Sequence, residues 1–368
     1  MRYIWQQRNW PHFAWDARTV GNLLSEVAFK EGRFLGELSG IGFENQSRAG
    51  LEAVTSEIVS SAAIEGESLN LQDVRSSVAR RMEIVLGDSE RRAVSPAMDA
   101  RVDMMMDATR GWARPMSVAR LKGWHAALFP TGYSGLTKIS AGRLRDDSEG
   151  PMQVVSRHGS LMRVHFEAPP ASGLSGEMKS FMTWLANEDA MPALVKISLA
   201  HLRFLTLHPF EDGNGRLARA LTEYLLARFE RSELRFYSLS SQIQKEKSDY
   251  YDELEHAQRN SLDVTRWVTW FLSLHGRAID SAALTLSGIL DKARFWRRHA
   301  QDDFNGHQKE MLNRLMDGFV GNLTSSKWAK ICKVSQDTAS REISVLCEAG
   351  ILRQEGGGRS THYLMCEC

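Results

Sequence analysis

Within the twelve residues from His208 to Arg219, HPFEDGNGRLAR, the chain gathers an imidazole, two carboxylates, two closely spaced glycines and two arginines. Gly213, Asn214 and Gly215 permit backbone conformations that turn successive N–H groups inward, making an anion-binding nest. A helix beginning near Arg216 would aim its N-terminal dipole at the same spot. Arg216 and Arg219 fall on one face of that helix's first turn and could clamp phosphate oxygens with planar, paired donors. Asp212 is a hard oxygen ligand beside the nest, and one carboxylate with substrate phosphates is the usual way Mg²⁺ is held. An unperturbed imidazole is half-protonated near neutrality, so the residue type of His208 suits a general base, and Phe210 should point inward and anchor the loop. The bland alternative is a glycine-containing loop before a basic helix. Eight specified positions in this stretch would arise by chance on the order of once in 10⁸ chains of this length, so phosphate chemistry is the better reading.

The segment resembles the signature of the Fic family, H-x-F-x-[DE]-G-N-G-R-x-x-R, at every position. The likeness extends over about 110–280 and takes in Arg143-Leu144-Arg145, the stretch His165-Phe166-Glu167-Ala168-Pro169-Pro170, and Tyr250-Tyr251 ahead of Trp267. It implies that His208 deprotonates a Ser, Thr or Tyr hydroxyl of a target protein, this chain included, for attack on the α-phosphate of ATP. Asp212 would hold Mg²⁺ on the phosphates, Gly213 to Gly215 would stabilise developing charge, Arg219 would grip the γ-phosphate, and Tyr251 would contact the nucleoside. A hairpin flap would align the target as an added strand, reading backbone more than side chains.

Upstream, Ser61-Ala62-Ala63-Ile64-Glu65-Gly66 resembles the family's inhibitory motif, [ST]-x-x-x-E-[GN]. Such a loose pattern arises by chance in roughly a third of chains of this length. Its weight comes from standing ahead of a complete signature. By itself it is a helix end with a solvated glutamate. In the family context Glu65, one turn from Ser61 on the same face, is expected to pair bidentately with Arg219 and take space the triphosphate needs. Replacing Glu65 by Gly should then raise transfer several-fold. Resemblance to similar braked proteins implies a second role, in which Glu65 positions a water that removes AMP from a modified target.

The elements that must carry these residues are mostly helical. Val20, Leu23, Leu24 and Val27 recur at helical spacing behind a capping Asp16, and Leu51, Val54, Ile58, Ala62 and Glu65 share a face that should end at Gly66. Further helices are expected over about 71–86, 96–111, 116–128, 174–187, 192–207, 215–230, 247–259 and 263–277. Between Thr131 and Ala171, short runs around His158-Gly159-Ser160 predict a small β-hairpin. The aromatic first sixteen residues, broken by Pro11, should pack across the helical body, with a partner surface as the lesser reading. The fold class expected is mainly α: a helical Fic core with a β-hairpin flap, plus a C-terminal winged helix-turn-helix. The expected domains are 1–95 with the inhibitory motif, 96–280 as catalytic core, 281–304 as linker helix, and 305–368 as winged-helix-like module.

Composition excludes several classes. With a formal net charge of +1, 43% hydrophobic and 25% charged residues, the 368-residue chain is an ordinary globular protein without bulk charge for nucleic acid or membranes. Trp5, Arg8, Trp10 and Asp16 interrupt any secretory signal, and Lys196, His201 and Arg203 interrupt the most apolar stretch. All four cysteines, Cys332, Cys347, Cys366 and Cys368, fall near the C-terminus, which fits a reducing cytoplasm; Cys332 and Cys347 read as core residues, and the Cys-Glu-Cys end as a loose tail rather than a soft-metal site.

In the C-terminal module Gln336, Thr338, Ser340 and Arg341 would lie on a recognition helix and Gly356 to Arg359 on the wing. Residues 305–368 carry eight Lys/Arg against seven Asp/Glu, so DNA gains little from bulk charge. DNA and a protein or dimer contact both stand as partners of the module, and a homodimer suits helical cores of this kind. Three functions compete: AMP transfer under control of Glu65, another Fic chemistry (UMP, phosphate or phosphocholine transfer), and a transcriptional regulator using its core only to sense nucleotide. Gly213 speaks against phosphate transfer, because phosphorylating relatives carry Lys there. Intact His208, Asp212 and Arg219 speak against a purely sensory core.

Overall fold

The computed structural model describes residues 3–87, 92–158, 161–187, 190–316, 319 and 321–366, apart from the side chains of 157, 158, 161 and 359. They divide into two compact units, Met1–Phe34 with Phe43–Ala282, and Leu35–Gly42 with Ala283–Cys368.

Asp16 caps α1 (Ala17–Leu38), accepting the Arg18 N–H at 3.0 Å. The second helix, α2 (Phe43–Ile64), starts a full two turns ahead of Leu51 and is buried on most sides. Its end is a Schellman motif: Glu67 N–H donates to the Ala62 carbonyl and Gly66 N–H to that of Ala63, both at 3.0 Å, with Gly66 at φ +80°. This is the physical meaning of Gly after Glu65 in the inhibitory pattern. Asn70 caps α3 (Leu71–Arg81), which stops well short of residue 86. The same motif ends it, with Glu83 at φ +58° and Ile84 N–H on the Ala79 carbonyl at 2.9 Å.

Serine caps open α4 (Pro96–Arg110) and α5 (Val118–Leu128). Two hairpins follow, the tiny β1 (Tyr133–Ser134) with β2 (Thr137–Lys138), and β3 (Gln153–His158) with β4 (Leu161–Glu167). The second is the expected flap; its turn residues Gly159 and Ser160 lie outside the described residues. Next come α6 (Ala171–Ala186), α7 (Ala193–Leu207) and α8 (Asn214–Glu230), the last two packed together with most of their residues buried. A helix not expected, α9 (Leu239–Lys245), is tied to α2 by buried Glu57, which accepts from Ser238 Oγ at 2.7 Å and Ser240 N–H at 2.9 Å. The unit closes with α10 (Lys247–Arg259) and α11 (Thr265–Thr285). The aromatic N-terminal segment does pack on this body. Trp5 Nε1 donates to the Glu167 carbonyl at 2.7 Å, and Ala14 bridges Asp263.

The linker helix expected at 281–304 is divided instead. The preceding α11 runs on to Thr285, Leu286 interrupts, and α12 (Ser287–Arg298) sends Phe295 into the core of the second unit. That core continues through α13 (Gly306–Met316), α14 (Ser325–Cys332) and α15 (Gln336–Glu348), and the hairpin β5 (Leu352–Glu355) with β6 (His362–Met365) completes a winged helix-turn-helix. Buried Glu342 organises it, accepting from Trp328 Nε1 at 2.7 Å, His307 Nδ1 at 2.9 Å and Asn305 Nδ2 at 3.0 Å. Cys332 belongs to this core and Cys347 packs against it, and both are free thiols, as is Cys366. Glu367 and Cys368 lie outside the described residues. Among those described, no helix is long and apolar enough to cross a membrane.

Candidate active site

The loop between α7 and α8 is over-determined. His208 ends α7 at φ +46°, a left-handed conformation that costs a non-glycine residue about 1–2 kcal/mol. Buried Arg145 holds it there, its Nε on the His208 carbonyl at 2.7 Å, its Nη2 on that of Pro169 at 2.6 Å, and its N–H on that of Pro209 at 3.0 Å. Phe210 is fully buried, as expected, and stacks on His125 with centroids 4.3 Å apart. The side chain of Asn214 clips the loop shut, accepting the Phe210 N–H at 3.0 Å and donating to its carbonyl at 2.7 Å. Gly213 sits at φ +77°, and a Cβ there would come within 2.8 Å of the Phe129 ring. Only glycine fits.

This frame orients His208 as a base. Its Nδ1 faces the Leu205 carbonyl at 3.3 Å; a carbonyl only accepts, so Nδ1 carries the hydrogen and Nε2 keeps its lone pair. Burial pushes the imidazole down to about 4, with the Arg145 charge adding to the effect.

Arg219 on α8 is buried, and its partners come from α2. Nε donates to Ser61 Oγ, and Nη2 to the Ser61 carbonyl and to Glu65 Oε1, each at 2.8 Å. The expected bidentate pairing is therefore a single-oxygen one. Ser61, one turn earlier on the same helix face, already occupies the Nε edge. Burial opposes the Arg219 charge, but Glu65 outweighs it and holds the guanidinium above its ordinary value. A Cβ on Gly215 would collide with the Glu65 carboxylate, so that carboxylate rests against the first turn of α8, where an anion would bind. Nη1 of Arg219 is buried without a hydrogen-bond partner among the described residues.

Arg216 does not converge with Arg219 as its spacing suggested. Its Nη1 donates to Glu67 Oε2 at 2.9 Å and its guanidinium lies over the Phe129 ring at 4.9 Å. Glu67, the residue after the Schellman glycine, also pairs with Arg101. Asp212 accepts from the Gly213 N–H at 2.5 Å and from the Ser134 hydroxyl, with Arg216 Nη2 at 3.8 Å. The described residues contain no group of three or more side chains that could cage a metal. A half-exposed single carboxylate fits an ion that takes its remaining ligands from phosphates and water, as Mg²⁺ does.

Glu65, His208, Gly215 and Tyr251 all line one cavity of about 470 Å³ between the flap and α10. Tyr251 is partly exposed there, and burial pushes its phenol up to about 12. Behind it, buried His201 joins Thr222 Oγ1 and the Tyr250 hydroxyl, each at 2.9 Å. Sequence reasoning missed Ser134, Glu67 and His125, whose Nε2 lies 3.2 Å from the Asp212 carbonyl. None stands at a spacing that betrays its partner.

Comparison with known proteins agrees with this geometry. Residues 115–226 match the Fic/DOC family, residues 3–84 a domain of unknown function (DUF4172), and residues 313–366 the C-terminal domain of a transcriptional regulator, DIP2311-like. A protein adenylyltransferase Fic of Nematostella vectensis is 29% identical over 136 residues, 36% of this chain and 30% of that protein. A uridine 5'-monophosphate transferase of Xanthomonas campestris pv. campestris (strain 8004) is 28% identical over 167 residues, 37% of this chain and 30% of that protein. The chain thus spans about a third of the length of these curated relatives. A Fic family protein of Desulfovibrio desulfuricans G20 shares the fold, with a TM-score of 0.56 at 21% identity, over 95% of this chain and 96% of that one. Residues 115–226 therefore carry a Fic/DOC-family domain.

Proposed function

We propose that the chain is a protein adenylyltransferase that moves AMP from ATP to a hydroxyl of a target protein and is held in check by Glu65. The observation that carries this reading is the meeting of His208, Gly215 of the nest and Glu65 in one cavity, with Glu65 Oε1 2.8 Å from Arg219.

In this reading Nε2 of His208 takes the proton of the target hydroxyl as its oxygen attacks the α-phosphorus. The bond to the β-phosphate breaks and pyrophosphate leaves. The N–H groups of Asn214 and Gly215, at the N-terminus of α8, would face the charge that develops. Arg219, once free of Glu65, binds the γ-phosphate and sets the α-phosphate in line; positioning of this kind supplies most of the catalysis in phosphoryl transfer. Asp212 would hold Mg²⁺, which supplies charge neutralisation on the phosphates. The flap presents strand β3 or β4 for pairing with the target. Free thiols at Cys332, Cys347 and Cys366 fit action in a reducing cytoplasm.

Transfer of a different nucleotide is a second reading, favoured by the UMP-transferring relative. Incubating the Glu65→Gly chain with Mg²⁺ and either ATP or UTP, then weighing labelled protein by mass spectrometry, separates the two. AMP from ATP supports the proposal; UMP alone overturns it.

A further inference from the structure

Ser156, His165 and Glu255 form a hydrogen-bonded chain on the wall of the cavity that also holds His208 and Gly215. Ser156 Oγ lies 2.7 Å from His165 Nε2, and His165 Nδ1 lies 2.7 Å from Glu255 Oε2. The protons can be assigned. A carboxylate accepts only, so Nδ1 carries the hydrogen; Nε2 of the neutral ring then accepts, and the Ser156 hydroxyl donates to it. Nucleophile, base and orienting acid therefore stand in working order.

The backbone has been shaped to make this happen. Strand pairing runs from Val154 opposite Phe166 to Val155 opposite Val164, which leaves His165 as the extra residue of a β-bulge. A bulge re-aims a side chain out of the regular alternation. From α10, Arg259 bonds the His165 carbonyl at 2.8 Å and the Val164 carbonyl at 2.7 Å, pinning the bulge. Glu255 lies one turn earlier on α10, with Arg163 Nη2 at 3.1 Å and Arg259 Nε at 3.4 Å as its cationic neighbours. Burial pulls its carboxyl upward, but the hydrogen bonds from His165 and Arg163 prevail and keep it below the ordinary value.

We propose that Ser156 is an internal nucleotide acceptor, an activated hydroxyl with its own base, His165, and its own orienting carboxylate, Glu255. The proposal rests on the reading of the cavity as a nucleoside triphosphate site. Ser156 Oγ forms a bond to the α-phosphorus, the bond from that phosphorus to the β-phosphate oxygen breaks, pyrophosphate leaves with the electron pair, and the proton passes to His165 Nε2. The nucleotide ends on the flap as a phosphodiester, inside the cavity the next triphosphate must enter.

The test uses the full chain carrying Glu65→Gly, incubated with Mg²⁺ and ATP and read by peptide mass spectrometry. AMP should appear on Ser156, persist when His208→Ala is added, and fall roughly 10²-fold or more, the scale of general-base loss, when His165→Gln is added. Glutamine can still hydrogen-bond but cannot take a proton. Glu255→Gln, which leaves nucleophile and base in place, is read the same way should His165→Gln fail to fold. AMP on other residues or proteins but not on Ser156, or AMP on Ser156 that requires His208 or ignores His165, overturns the proposal and leaves the nucleotide-transfer reading standing. No labelled protein and no bound ATP overturns both.

Discussion

Nη2 of Arg219 lies 2.8 Å from Glu65 Oε1, and the same guanidinium binds both the hydroxyl and the carbonyl oxygen of Ser61 at that distance. Among the described residues, its Nη1 has no hydrogen-bond partner. In the proposed function, an incoming γ-phosphate would have to displace a carboxylate from a buried cation. A charge-assisted hydrogen bond contributes about 1.5–3 kcal/mol, which corresponds to a suppression of about ten- to a hundredfold.

Ser61 should act as a lesser part of the same restraint. Its hydroxyl supplies one contact to Arg219 Nε, and losing an ordinary hydrogen bond weakens a restraint by about 0.5–1.5 kcal/mol. Ser61→Ala is expected to raise transfer by about two- to tenfold. A rate at or below wild type in the same assay would show that Ser61 only supports the helix.

His208→Ala should lower transfer to hydroxyls other than Ser156 roughly 10²–10⁴-fold. The pH profile carries a sharper statement. Burial holds the His208 imidazole at about 4 rather than the ordinary 6.5, so the base remains neutral and competent well below neutrality. The rate constant kcat/KM of the Glu65→Gly chain should stay level from pH 7 to 5.5 and decline only toward pH 4. A decline centred near pH 6.5 would mean that His208 is an unperturbed imidazole.

Gly213→Ala should be costly to the fold itself. The residue sits at φ +77° and its Cβ would meet the Phe129 ring at 2.8 Å. The left-handed backbone alone costs about 1–2 kcal/mol. Chemical denaturation should register at least that loss in the unit that contains the site, together with loss of transfer; an unchanged midpoint would contradict the geometry.

The C-terminal module offers exposed Lys327, Lys330, Lys333 and Arg341 on or beside α14 and α15, whereas Gln336 and Thr338 of the expected reading set also bond to serines near the helix starts. Four phosphate contacts would give duplex binding a slope of about −4 in log affinity against log salt. A gel shift of the full chain at graded salt measures this, and no shift at low salt would leave a protein surface as the partner.

Much of this was readable in the chain beforehand. Asp16 announced a helix start, and Gly66 a helix end, because caps are local chemistry. The loop from His208 to Arg219 was readable because eight of its twelve positions are specified by the chemistry they serve. What escaped depends on contacts between distant segments. Glu83 and His208 adopt left-handed backbone without being glycine, so nothing in their type marks the turn. The seven residues of α9 are too few to show periodicity and depend on Glu57 across the fold. Arg216 looked like a phosphate ligand by spacing, yet Glu67 and Phe129 claim it. The bulge at His165 is a matter of strand register, which alternation alone does not specify.

The most direct test of the account is the mass of protein labelled by the Glu65→Gly chain beside wild type, both given Mg²⁺ and ATP. The account predicts AMP on a hydroxyl side chain of the chain itself or of a supplied target, accumulating at least about tenfold faster in the variant. Equal rates in the two chains, with AMP transferred by both, would contradict the idea that Glu65 restrains Arg219.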